Sequence, residues 1–516
     1  MRLLTKSFHW LLKQRLNRLQ VAINNPIERQ YALLKELIQK GKHTLYGKQL
    51  GYSTIDSPQA FQRQVPICTY EQLYPYIAQA LQGIPQVLWP TPIKWFAKSS
   101  GTTNDRSKYI PVSEEALQEG HYKAGKDMLS IYLANNPESK LAQGKSLAMA
   151  GSLYSNSFST RSNTQYGDVS AVIMWNLPFW ARWISTPSVD ITLLEDWEEK
   201  LEKLAQATVQ ENITAITGIP TWVLLLLNRV VALKQATSIA EVWPMLELFI
   251  HGGVSFTPYK DLFDQLVPAH MHYMEVYNAS EGFFAVQDQL GNPGLLLLID
   301  HGIYYEFIPI EDIDKPSKQA LDLSSVELNK IYALVITTNS GLWRYQIGDT
   351  VKFTSLSPYR IQVIGRTKHF INTFGEELMI HHAEAAISHA CALTGATISD
   401  YTVGPFYLSN GQQGKHEWVI EFVRPPAQLH EFREILDHQL QAINSDYEAK
   451  RYKDMLLTKP IINPVPPGFF YTWMKKQDKL GEQHKVPRLF NSRKYLDSIH
   501  QLLQETDSSR HYERMK

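Results

Sequence analysis

The sequence predicts an α/β protein with two domains. A large N-terminal α/β domain, with parallel sheets and a strand-rich subdomain, is expected over residues 1–366, and a small C-terminal α+β domain over 367–516. Three observations carry that reading. The chain has 516 residues, more than one ordinary domain needs. Strand-like and helix-like runs alternate through the first half, and such units build largely parallel sheets. The pattern turns strand-rich near 295 and changes again after Gly365-Arg366.

Residues 1–40 read as helices, with Leu33, Leu34, Leu37 and Ile38 at helical spacing. The first twenty are basic and amphipathic. Lys6, His9 and Lys13 interrupt any signal-peptide core, so a surface helix packed on the main domain is expected. A membrane-peripheral helix is the alternative. A short strand, Trp95-Phe96-Ala97, leads into a loop of small residues. Ser113 before Glu114 and Glu115 predicts a helix N-cap with an acidic first turn. Ser146–Ala150 and Ala171–Met174 read as buried strands, and Leu193–Ala207 as a helix. Thr214–Ile216 and Leu246–Ile250 read as strands ending in Thr217-Gly218-Ile219-Pro220 and His251-Gly252-Gly253, each followed by a helix.

Five strand-like runs follow: Leu295–Ile299, Ile303–Ile308, Tyr332–Thr337, Thr350–Phe353 and Arg360–Ile364. They suggest an antiparallel subdomain, a distorted barrel. Beyond 367, Glu384–Ala392 and Leu429–Ser445 read as helices around a strand, Glu417–Val423.

Lys+Arg and Asp+Glu are equal at 51 each, so no concentrated positive field invites general nucleic-acid binding. Two cysteines, Cys68 and Cys391, build neither a disulfide framework nor a cysteine zinc site. A cytoplasmic location is expected. The most apolar run, Trp222–Leu227, is too short to span a bilayer. A monomer is expected.

Five constellations could carry chemistry. In Ser99-Ser100-Gly101-Thr102-Thr103, four hydroxyls and the backbone N–H groups can surround an anion, with Lys98, Arg106 and Lys108 adding charge. It lacks the Gly-Lys-Ser/Thr ending of a Walker A loop. Taken alone it is more readily a solvated turn. In Tyr277-Asn278-Ala279-Ser280-Glu281-Gly282, a tyrosine can cover a base and a carboxylate can hold Mg²⁺ beside phosphates. Alone, a polar loop with a buried tyrosine explains it better. Asp349, just after Gly348, can accept hydrogen bonds from vicinal hydroxyls, or simply form a turn. Gly365-Arg366-Thr367-Lys368 and His484-Lys485-Val486-Pro487-Arg488 are the fourth and fifth sets, and either could be ordinary charged surface.

In this order and spacing the five sets resemble the acyl-adenylating superfamily of acyl-CoA synthetases, luciferases and peptide-synthetase adenylation domains. More closely, the chain resembles the auxin-responsive promoter family of acyl acid–amido synthetases. The matches are SSGTT followed by KYIPVS, then TGIPTW, FIHGGVSFTPY, YNASEGFFAVQD, GLWRYQIGD, GRTKHFINTFGEEL and KVPR. They run from about 95 to 490. Trp343 and Gln346 depart from the plant members' pattern, so hormone substrates do not follow from the likeness.

The resemblance implies a mobile C-terminal domain and a two-step reaction. ATP and a carboxylic acid give an acyl-adenylate, and an amine, such as an amino acid, then attacks it. ATP and Mg²⁺ are implied. Ser99, Ser100, Thr102 and Thr103, with Gly101, would hold phosphates. Tyr277 would contact adenine. Ser280 and Glu281 would lie by the α-phosphate and the metal, and Asp349 would bind ribose. Arg366 would lie near ribose or phosphate, Lys368 would be the hinge, and Lys485 would reach the phosphate. Tyr166, Trp175, Phe179, Thr217 and Trp222 are candidate acyl-pocket walls in loops or strand ends, though each is equally a plausible core residue.

Two rivals remain at this point. A ligase that hands the acyl group to the thiol of coenzyme A shares the first step, and product mass with either acceptor separates the two. A non-catalytic nucleotide-binding protein on the same fold would release no pyrophosphate with any acid.

Overall fold

The computed structural model describes residues 14–103, 106–155, 164–253, 256, 260–292, 294–313, 315, 318–366, 370–408, 413–477 and 486–514. The chain forms two compact units, 1–256 with 263–367, and 257–262 with 368–516.

In the first unit the strands are, in chain order, β1 (Trp95–Thr103), β2 (Arg106–Val112), β3 (Lys145–Ala148), β4 (Leu153–Ser155), β5 (Gln165–Gly167), β6 (Ser185–Thr186), β7 (Ile213–Gly218), β8 (Leu248–His251), β9 (His272–Ala279), β10 (Gly282–Val286), β11 (Leu295–Leu297), β12 (Ile303–Pro309), β13 (Leu321–Asp322), β14 (Ile331–Thr338), β15 (Tyr345–Leu356) and β16 (Tyr359–Arg366). Among the described residues, four make a small sheet, β2-β1-β5-β4. Twelve make one continuous sheet, β13-β12-β14-β15-β16-β11-β10-β9-β8-β7-β3-β6. From β9 to β6 the neighbours are parallel, and helices cross between them. The rest is antiparallel. The strand-rich part is thus an extension of the parallel sheet rather than a separate barrel.

That sheet is strongly curled. The Tyr277 hydroxyl on β9 donates to Asp349 Oδ2 on β15 at 2.5 Å. Those strands lie four places apart in the sheet. On a flat sheet that is roughly 19 Å, more than two side chains can span. Curling about the concave face closes the gap.

The sequence expectations differ from the structure in further places. Ala171–Met174 lies in a helix, Val169–Trp175, with Ala171, Val172 and Met174 buried. A short apolar run does not distinguish strand from buried helix, because both hide every residue. The small-residue stretch after Ala97 continues β1 as far as Thr103, where a loop was expected. Tyr277 lies inside β9, and only Ser280-Glu281 forms the turn into β10.

Local signals explain the other boundaries. Ser113 Oγ accepts from Ala116 N at 2.9 Å, capping the helical segment that follows β2. Asp196 Oδ1 accepts from Glu199 N at 2.7 Å and starts the helix Trp197–Thr208. Pro220 opens the helix Pro220–Lys234, and Gln235 closes it in the left-handed conformation. The helix over 14–24 packs Leu19 against Met128, Ile131 and Met274. Arg15 Nη2 donates to buried Asp127 at 3.0 Å. The described part of the basic N-terminal stretch is therefore a packed helix.

The main core joins the N-terminal helices to the antiparallel half, through Leu34, Leu37, Phe61, Tyr304, Tyr332 and Trp343. One buried ion pair ties them further. Arg344 donates to Glu306 through Nε at 2.9 Å and Nη2 at 2.8 Å, and through Nη1 to the carbonyls of Gln62 and Val65. In the second unit, β17 (Phe370–Ile371) pairs with β18 (Leu378–Met379). β19 (Thr397–Tyr407), β20 (Gly414–Arg424) and β21 (Ile461–Val465) form a three-stranded sheet. The helices Ile380–Thr394 and Leu429–Ile443 pack together.

Arg344→Ala strands the Glu306 carboxylate in the core and should lower unfolding free energy by about 3–5 kcal/mol. Arg344→Met combined with Glu306→Leu should cost less, because neither charge is then buried alone. Urea midpoints of the parent and both variants read this; an unshifted Arg344→Ala midpoint refutes it.

Candidate active site

The first constellation is the tip of an irregular hairpin. Ser99 on β1 pairs with Lys108 on β2, and Thr103 pairs with Arg106, with a register break between them. Side chains from Ser100 to Ser107 lie outside the described residues, so of the four hydroxyls only that of Ser99 is placed, half-buried. Lys108 Nζ lies 5.7 Å from the centre of the Tyr70 ring. The hairpin is tied to the Asp349 segment. After β2, Ser113 Oγ donates to Asn339 O at 2.7 Å, and Ser113 N donates to Ser340 Oγ at 3.0 Å. Gly341 follows with φ of 86°, where an added Cβ would meet Leu88 O at 2.6 Å.

Tyr277 and Asp349 meet directly, as the 2.5 Å bond shows, and both are buried. The Tyr277 ring leans on Phe284, with centroids 4.7 Å apart. Asp349 is the cross-strand neighbour of Arg366, whose side chain is outside the described residues. Ser280 and Glu281 form the turn one step beyond β9, both half-buried. Tyr277, Asp349, the backbone of Arg366 and the Ser280-Glu281 turn are therefore placed by one curled sheet. Lys368 and Lys485 lie outside the described residues.

The acyl-pocket candidates are more scattered. Tyr166 sits on β5 beside Phe96, stacked on Tyr154 and edge-on to Tyr109. Thr217 is the last residue but one of β7, between Ala148 and Ile250. Trp175, Phe179 and Trp222 lie on helices, not in loops or strand ends. Trp175 is 44% exposed and Phe179 74%, so neither is a core residue. Trp343 and Gln346, the departures in the Asp349 motif, serve packing. Trp343 is buried and donates to Leu88 O at 3.0 Å, and Gln346 accepts from Lys318.

Sequence reasoning passed over two residues beside Tyr277. His251 ends β8 and is the cross-strand neighbour of Glu275 on β9. Side chains two apart on a strand share a face, so Glu275 and Tyr277 point the same way. His251 is buried, stacked on Phe256 at 4.3 Å, and its Nδ1 has no partner among the described residues. The only signal in the sequence is a glutamate midway along the strand, between Met274 and Val276.

Burial pushes the His251 imidazole down to about 4. It does the same to His121, with the Asn278 side chain offsetting part of the effect. Both rings are therefore neutral at pH 7. Between the ordinary histidine value and about 4, the unfolded chain takes protons that the folded chain refuses. Stability should thus fall as pH falls through that window. His251→Phe should flatten the slope, read by denaturation midpoints at several pH values; an unchanged slope refutes the assignment. On the ribose role that the resemblance implies for it, Asp349→Ala should weaken ATP binding by about 1.5–3 kcal/mol, roughly ten- to hundredfold in Kd. Tyr277→Phe keeps the ring and should cost less; calorimetric titration with ATP reads both.

Three family models match the chain. They are the GH3 family N-terminal domain over 15–271, the central domain over 296–366 and the C-terminal domain over 381–494. Indole-3-acetic acid-amido synthetase GH3.3 of Arabidopsis thaliana is 22% identical over 533 residues, 89% of this chain and 88% of its own length. Jasmonoyl–L-amino acid synthetase JAR4 of Nicotiana attenuata is 23% identical over 62% of this chain and 65% of its own. Among solved structures, the GH3.15 acyl acid amido synthetase in complex with 2,4-DB has a TM-score of 0.61 at 19% identity, over 95% of this chain and 96% of that one. The 2-hydroxyisobutyryl-CoA ligase in its thioesterification state has a TM-score of 0.54 at 15% identity, over 95% and 93%. At such identities these two bear on the fold alone. The three domain models leave little of the described chain unmatched, and the chain belongs to the GH3 family.

Proposed function

We propose that the chain is an ATP-dependent acyl acid–amido synthetase. In the first step a carboxylate oxygen attacks the α-phosphorus of ATP, pyrophosphate leaves, and an acyl-adenylate forms. In the second, the nitrogen of a neutral amine attacks the acyl carbon, the C–N bond forms, the bond from the acyl carbon to the phosphate oxygen breaks, AMP leaves, and the nitrogen gives up one proton. The observation that carries this reading is the family match, joined to a curled sheet that brings Tyr277 onto Asp349. Relatives named as amido synthetases over most of this chain favour an amine over a thiol acceptor.

The first step transfers between anions, so it needs positioning and charge neutralisation rather than a nucleophilic side chain. Ser99, Ser100, Gly101, Thr102 and Thr103 would hold the phosphates, Tyr277 the adenine and Asp349 the ribose. Ser280 would lie by the α-phosphate, with Arg366 and Lys485 neutralising developing charge and Lys368 as the hinge of a mobile C-terminal domain. Among the described residues no cluster of three or more His, Cys, Asp or Glu could hold a metal ion. Mg²⁺ keeps several waters and takes one or two carboxylates with substrate phosphates. Glu281 would be such a carboxylate. Tyr166, Trp175, Phe179, Thr217 and Trp222 would line the acyl side, the exposed Trp175 and Phe179 being covered by the acid. A cytoplasmic monomer fits the two free cysteines, Cys68 and Cys391.

A screen of carboxylic acids with ATP, Mg²⁺ and mixed amino acids should release pyrophosphate and give an amide by mass. Thioester with coenzyme A and no amide would sink the amine reading. Lys485→Ala should slow acid-dependent pyrophosphate exchange by roughly a hundred- to a thousandfold; an unchanged rate removes Lys485 from the site.

A further inference from the structure

The second step needs something the adenylation site does not provide. An amine in water at neutral pH is largely an ammonium ion, and it must be recognised beside an anionic adenylate. Glu275 and His251 offer a place for it. They are cross-strand neighbours on β9 and β8, with His251 the last residue of its strand. Ligands of open α/β sheets bind at the carboxyl ends of parallel strands. Tyr277, on the same face as Glu275 and two residues on, is roughly 7 Å along the strand.

The pair is otherwise unexplained by the fold. Gln287 engages only the backbone of Glu275, accepting from its N–H and donating to its carbonyl. Among the described residues no cation forms an ion pair with the Glu275 carboxylate. His251 is buried with Nδ1 unpartnered, packed between Phe249 and Phe256. A buried polar group without a partner is costly, and a half-buried carboxylate without a counter-charge more so. Such groups persist where a ligand completes them. An acyl donor, itself a carboxylate, would be repelled there.

Resting on the proposed function, we infer that Glu275, with His251 beside it, receives the ammonium group of the acceptor amine. The carboxylate accepts from the ammonium, and the neutral imidazole supplies a second acceptor through Nδ1. Burial alone raises Glu275 above the usual carboxylate range, which also makes it a better proton acceptor than an exposed glutamate. Burial keeps His251 uncharged, so it does not neutralise Glu275 in the ammonium's place.

The test separates the two half-reactions. The acid probe is the one that releases most pyrophosphate in the screen above. The acceptors are an equimolar mixture of the twenty amino acids and, separately, hydroxylamine, which is neutral at pH 7.5. Glu275→Gln should raise the KM for amino acids by about tenfold or more, the usual cost of losing one partner of a charged hydrogen bond. The hydroxylamine KM and the acid KM should move far less. Glu275→Asp, which keeps the charge, should recover part of the loss. An amino-acid KM that does not change overturns the inference. So does an equal loss with hydroxylamine, which would make Glu275 a residue of the fold or of the first step. If the parent enzyme releases no pyrophosphate with any acid, the proposed function fails, and this inference with it.

Discussion

A buried guanidinium fixes the geometry on which the site depends. Arg344 stands immediately before β15, five residues ahead of Asp349. Its donors go to Glu306 on β12 and to two carbonyls of the N-terminal segment. The start of β15 is thereby held from two directions. A bidentate guanidinium–carboxylate contact sets orientation as well as distance. Arg344 has φ of 42°, a conformation that costs energy for a residue with a side chain. The surrounding contacts over-determine it. Trp343 adds another hold, through its ring against Tyr52 and its N–H on Leu88 O.

With β15 fixed, the curl of the sheet does the rest. The twist of paired strands accumulates along the run from β15 to β9. It brings a tyrosine from the parallel half within hydrogen-bonding distance of an aspartate from the antiparallel half. A flat sheet would leave them far apart. The helical segment after β2 closes the third side, because Ser113 ties the hairpin to Asn339 and Ser340. The proposed nucleotide site thus needs no single continuous motif. It needs one curved sheet and two anchors.

This explains which parts were legible in the sequence. The residue types around Ser99, Tyr277 and Asp349 fitted ordinary loops and turns as well as a ligand site, and only the order of the motifs along the chain singled them out; the sequence did not show that Tyr277 and Asp349 touch. The strand-to-helix units were readable from periodicity. The helix Val169–Trp175 was not, since an apolar run of that length has no distinguishing period. Trp343 and Arg344 looked like part of a ligand motif, whereas they pin the motif to residues more than 250 positions away. Linear order does not reveal such partners. Glu275 was invisible for the same reason. Its significance lies in its neighbour His251, on another strand, and in the lack of a counter-charge around it.

The two proposed roles make opposite electrostatic demands. The hairpin carrying Lys98, Arg106 and Lys108 belongs to the small sheet, and suits an anion. Glu275 belongs to the large sheet, on the face of Tyr277. A fully charged carboxylate so close to a polyphosphate would oppose ATP binding. Burial reduces that conflict, because a carboxyl raised by desolvation more readily carries a proton when an anion approaches. An arriving ammonium reverses the balance, since an opposite charge favours the ionised form. On the reading given to Glu275, a proton taken up while the polyphosphate is bound would weaken amine binding, and the departure of pyrophosphate, which carries most of the negative charge away, would restore it.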